Sequence, residues 1–103
     1  MSNPYIYLFV REDLSKCQQI IQTAHAVDEL NKRLDEVTDK TNHMVLIGAK
    51  SDLELCEISH YLHMNKIEHF LFYEPDIEGH TAIATVPLVG DERHPMQIFS
   101  TMK

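Results

Sequence analysis

The chain of 103 residues has no tryptophan, only three glycines, four prolines and two cysteines. Glycines at 48, 79 and 90 are too far apart to build a phosphate-cradling loop, and no G-x-S-x-G nucleophile elbow occurs. Cys17 and Cys56 lack paired-motif spacing, so both are expected as reduced thiols packed as small apolar groups. Neither has an evident electropositive setting, which argues against a thiol nucleophile. Long apolar runs are missing too. "YIYLFV" (5–10) is far too short to span a bilayer, and no basic segment precedes it as in a signal peptide. Positive charge is also scarce. Nine Lys and Arg face sixteen Asp and Glu, a formal charge of −7, which argues against holding nucleic acid by backbone charge alone. A local basic patch acting within a screened field remains compatible with RNA.

What remains is an ordinary globular composition, 44% hydrophobic and 24% charged, at a length that suits one domain over residues 1–103. A soluble cytoplasmic protein with no membrane contact is expected. So small a chain buries only part of its surface, and dimerisation is a natural way to cover the rest.

Periodicity orders the elements as β-α-β-α-β-β. "YIYLFV" reads as a strand covered on both faces. Ser15 with Gln18 forms an S-x-x-Q capping box that opens a helix running to about residue 36, where "TDKTN" breaks it. Cys17, Ile20, Ile21, Ala24, Val27 and Leu34 are its expected apolar stripe. "HMVLIGA" (43–49) is a second strand, and Ser51 with Glu54 repeats the capping box before a helix carrying Leu55, Ile58 and Leu62. "IEHFLFYE" (67–74), the turn "PDIEGH" and "TAIATVPLV" (81–89) give the last two strands, and a short irregular element is expected around Met96 to Phe99. Two strand–helix–strand crossovers imply a parallel core with the final strand added by a hairpin-like turn. The fold class is α/β: a small three-layer sandwich with helices flanking a four-stranded mixed sheet.

Ligands in such sheets favour the carboxyl ends of the strands. If the sheet order allows it, Arg11, Asp13, Gln18, Gln22, His25, Asp76 and Thr81 converge there: cation, carboxylates, amides, imidazole and hydroxyl. Each has a plainer reading. Gln18, Gln22, His25 and Glu29 share a stripe well away from the apolar face, and a solvated helix surface with a His25–Glu29 pair explains three of them. Asp is common in turns such as the one holding Asp76, and Thr81 can simply open a strand. His60 and His63 lie one helical turn apart, but with no third ligand at a telling distance they read as solvent-facing, and no metal site is expected.

"LFVREDLS", "QQIIQTAHA" and "EPDIEGHTAIAT" taken together resemble the type II peptidyl-tRNA hydrolase family, the archaeal and eukaryotic kind. The chain looks most like its compact variant from bacteria and phages, over Tyr5 to Phe99. The resemblance implies a four-stranded mixed sheet flanked by helices and a homodimer. It also implies hydrolysis of the ester between a peptide and the 3′ ribose of tRNA, with no metal or organic cofactor. Gln22 and His25 match the family's "A-A-Q-C-x-H-A" segment, Asp76 and Thr81 its "D-A-G-x-T" turn, and Thr85 stands for a further hydroxyl. By this resemblance Asp76 orients the attacking water, while Gln22 and Thr81 hold the ester or developing oxyanion. Gln18 occupies the position of the family lysine, leaving Arg11 as the better substitute cation. One extra residue separates Asp76 from Thr81, so the carboxylate that orients water is Asp76, Glu78 or Asp13. Substituting Gln18→Lys is expected to raise tRNA affinity and its salt sensitivity in filter-binding titrations. If neither changes, position 18 does not face substrate.

Overall fold

Two apolar runs and two capped helices place their elements close to where the pattern puts them. The computed structural model of the protein describes residues 3–33 and 43–101. It contains β1 (Ile6–Arg11), α1 (Lys16–Arg33), β2 (Met44–Ala49), α2 (Asp52–Met64), β3 (His69–Glu74), β4 (Gly79–Thr85) and a 3₁₀ helix (Gly90–Ile98). The expected end of the first helix near residue 36, with Leu34 and the "TDKTN" breaker, lies outside the described residues. Both caps form: Ser15 Oγ accepts from Gln18 N at 3.2 Å, and Ser51 Oγ from Glu54 N at 3.1 Å.

The sheet order is β2-β1-β4-β3. β1 and β2 pair in parallel, and β4 runs antiparallel between β1 and β3. The expected parallel core therefore shrinks to one parallel pair, because the hairpin strand inserts beside β1 rather than adding at the edge. β4 is also shorter than the expected 81–89. Pro87 lacks the N–H that a continuing ladder needs, and the chain rejoins only at a Tyr5–Leu88 bridge.

Helix α1 covers one face of the sheet, packing Ala26 and Leu30 on Leu8, Val10, Ala82 and Ala84. Helix α2 and the 3₁₀ helix cover the other, where Leu55, Ile58, Leu62 and Met96 meet Tyr7, Phe9, Ile47 and Ile83. This is the three-layer sandwich. The irregular tail element is longer than expected, a nine-residue 3₁₀ helix that buries Met96.

Helix α1 turns a different side inward from the one its apolar residues suggest. Its buried line is Gln22, Ala26 and Leu30, while Cys17 is exposed and Ile20 and Ile21 are 72% and 46% exposed. A spacing of four residues keeps that line on one face, and Gln22 can sit in it because its amide is hydrogen-bonded. The helix lies over β1, β4 and β3, so among the described residues no helix covers β2 on this side, where Met44 and Leu46 are exposed. At the far end of β2, a methyl group on Gly48 would overlap the side chain of Glu12, which lies across the strand there.

The core depends most on β1. Phe9 is fully buried and meets the Phe99 ring edge-on at 5.0 Å. Phe9→Ala is expected to cost about 3–5 kcal/mol in urea denaturation, a large part of the stability of a domain this size.

Candidate functional site

The strand ends and helix starts meet at one edge of the sheet. β1, β2 and β3 finish there, β4 begins there, and α1 and α2 leave from it. One irregularity sorts the side chains. Phe72 pairs with Ala82, but Tyr73 pairs with His80, so β4 carries one residue more than β3 at Thr81. Strict alternation would place His80 with Ala82 and Ala84 on the α1 side, and Thr81 with Ile83 on the α2 side. The bulge reverses both. Thr81 turns to α1 and His80 turns to α2.

On the α1 side, the Thr81 hydroxyl donates to Gln22 Oε1 at 2.8 Å, and Gln22 Nε2 donates to Gln18 Oε1 at 3.1 Å. Thr81 and Gln22 are buried, whereas Gln18 is half-buried. The solvated stripe expected for Gln22 is therefore corrected: Gln22 lies on the packed face because a strand hydroxyl and a helix amide satisfy it.

On the α2 side, Asp52 receives two hydrogen bonds from one residue. The His80 backbone N–H donates to Oδ2 at 3.0 Å, and the His80 ring meets Oδ1 through Nδ1 at 2.9 Å. Cys56 lies one helical turn beyond Asp52, with Sγ 3.4 Å from Oδ1 and 3.5 Å from His80 Nδ1. The donor atoms of the three residues all lie within 4.8 Å of one another, a grouping that could hold a metal ion among the described residues. Partial burial pushes the Asp52 carboxyl up. The hydrogen bonds from the His80 backbone, the His80 ring and the Cys56 thiol outweigh that and hold it below the ordinary carboxylate range. Burial raises the Cys56 thiol, and the Asp52 carboxylate raises it further, so it is a poor nucleophile.

Arg11 is held by Asp13 rather than free. Its Nε and Nη2 donate to the two Asp13 oxygens at 2.9 and 2.7 Å, and Nη1 reaches the His80 carbonyl at 3.3 Å. That hydrogen bond raises Arg11 further and lowers Asp13.

The remaining expected residues lie elsewhere. The His25 ring stacks on Phe72 at 5.1 Å, and the Glu29 carboxylate lies near Lys32 and Arg33, not His25. Asp76 is exposed in the β3–β4 turn, where Glu78 adopts φ 55°. Thr85 is buried at the opposite end of β4, its hydroxyl accepting from Tyr7 N at 3.0 Å. Gln18, Gln22 and Thr81 are thus brought together, with Arg11 close to His80; His25, Asp76 and Thr85 are not part of that group. Sequence reasoning missed Asp52, Cys56 and His80. Two signals were available: the i, i+4 spacing of Asp52 and Cys56 after a strand end, and His80 beside Thr81. The sheet order that joins them was not.

No protein-family model and no curated protein matches the chain. The chain is similar in structure to a solved protein of unknown function from Agrobacterium tumefaciens, with a TM-score of 0.69 over 100% of both chains at 12% identity. That likeness shows a shared fold.

The lowered Asp52 carboxyl has a pH consequence. A group whose folded pKa lies below its unfolded value contributes stability above about pH 4, and this is lost as the pH falls through the folded pKa. Asp52→Asn is expected to be less stable than wild type at neutral pH, with the gap narrowing below about pH 4 in urea titrations. A gap independent of pH would mean that the Asp52 charge does not matter to the fold.

Proposed function

We propose that the chain hydrolyses the ester joining a peptide, or an N-blocked amino acid, to the 3′ ribose of tRNA. The observation that carries this reading is the Asp52–His80 pair on the α2 side of the sheet edge where the strands end. A carboxylate on Nδ1 fixes the tautomer and orientation of an imidazole, whose Nε2 then takes a proton from water. The hydroxide adds to the ester carbonyl. The tetrahedral intermediate collapses by expelling the 3′ oxygen of the ribose, which recovers the proton from the imidazolium. Peptide acid and free tRNA are the products. Gln22 and Thr81 are buried across the sheet from that pair, so they act as positioning residues: their hydrogen bond holds the bulge that turns His80 toward α2. Asp52 and His80 thereby take the role that the resemblance gives to Asp76. The same resemblance supplies the expected setting, a cytoplasmic homodimer.

A second reading is favoured by the burial of Gln22 and Thr81. In it, the scaffold binds tRNA or a protein partner without turnover.

Release of labelled N-acetyl-amino acid from N-acetyl-aminoacyl-tRNA separates these readings. Wild type is expected to cleave, His80→Ala to lose roughly 10²–10⁴-fold, and Asp76→Asn to keep most of its rate. Loss in Asp76→Asn with activity kept in His80→Ala would return the water-orienting role to the turn. A folded wild type that retains tRNA but releases nothing would establish the binding reading.

A further inference from the structure

The hydrogen-bonded Asp52–Cys56–His80 trio also has separations close to those of ligands around a single metal ion. A tetrahedral zinc ion, with bonds of about 2.3 Å to sulfur and about 2.0–2.1 Å to nitrogen and oxygen, spaces its ligands by about 3.5 Å where sulfur is involved and by about 3.3 Å between nitrogen and oxygen. The two sulfur separations here are 3.4 and 3.5 Å, and the nitrogen–oxygen one is 2.9 Å. Only the last must open, by a few tenths of an ångström. We propose that Asp52 Oδ1, Cys56 Sγ and His80 Nδ1 bind one zinc-like divalent ion, with water as the fourth ligand.

Donor chemistry and support agree with that ion. Thiolate, imidazole and carboxylate together suit zinc, whereas magnesium and calcium prefer oxygen throughout. Two anionic ligands balance a dication, and Arg11 adds no net charge because Asp13 neutralises it. The second carboxylate oxygen is tied to the His80 backbone N–H, which aims Oδ1 at the other two donors. Gly79 permits this approach, since a methyl group there would lie 2.9 Å from Oδ2. All three residues are half-buried, leaving a side open to water. Binding breaks the Cys56 S–H bond and sends that proton to solvent, while the imidazole proton moves from Nδ1 to Nε2. The inference goes beyond the hydrolytic reading and does not depend on it. Were the ion bound, Nε2 would carry the imidazole proton and His80 could not act as a base, so the hydrolytic reading belongs to the ion-free chain.

Cobalt(II) titration of the reduced full chain tests the site, because a thiolate ligand produces a charge-transfer band in the near ultraviolet and a tetrahedral site produces intense visible bands. One cobalt per chain with both features, displaced by zinc, is expected. Cys17→Ser is expected to keep the thiolate band and Cys56→Ser to lose it, with circular dichroism confirming that both fold. Asp52→Asn is expected to retain the band while binding roughly tenfold or more weakly. Absence of the band in wild type, its survival in Cys56→Ser or its loss in Cys17→Ser would each overturn the site.

Discussion

One extra residue in the central strand organises this molecule. β4 lies between β1 and β3, so every side chain it carries faces one helical layer or the other. The bulge at Thr81 exchanges the faces of two neighbours at the point where the strand enters the sheet. Thr81 then satisfies a buried glutamine from α1, and His80 satisfies a carboxylate from α2. A single backbone irregularity therefore ties both helices to the same strand through polar contacts, and the side chains able to do chemistry gather around it. The exchange is paid for by one interrupted step in the ladder, at an edge of the sheet where the pairing is about to end in any case.

The element order was legible because its causes are local. Two serines with Gln18 and Glu54 three residues later mark helix starts, and continuous apolar runs mark covered strands. The inward face of α1 was not. Ile20 and Ile21 outweigh Gln22 on any hydrophobic reading, and only the Thr81 hydroxyl, 59 residues away, makes Gln22 an inner residue. Sheet order was hidden for a related reason. Nothing in a β3–β4 turn says whether the hairpin strand adds outside β3 or inserts beside β1. The Asp52–His80 contact depends on that choice and on the bulge as well. Family likeness pointed to Gln22 and Thr81, and these do meet. It also pointed to Asp76, which stands exposed in the turn.

The polar groups around β4 differ in character according to burial. Gln22 and Thr81 form a closed chain with no route to solvent except through Gln18, so they act as rigid support. Asp52 and His80 are 39% and 32% exposed at the side chain, enough for water or an ion to reach them. The bulge thus leaves the buried chain on one face of the sheet and the accessible pair on the other. The solved structure sharing this fold has no stated function, so these residues, not the fold, carry the functional reading.

At the other edge of the molecule, Glu12 lies across Gly48 on the outermost strand. An open edge strand with exposed apolar residues such as Met44 and Leu46 is a template on which foreign strands can grow. Thr101 already bridges to Ile47 on that edge, so a further strand cannot pair along its whole length without displacing it. The surplus of negative charge adds repulsion between copies brought together at that edge. Over the face of the same strand, Glu12 occupies the room that the missing side chain of Gly48 leaves.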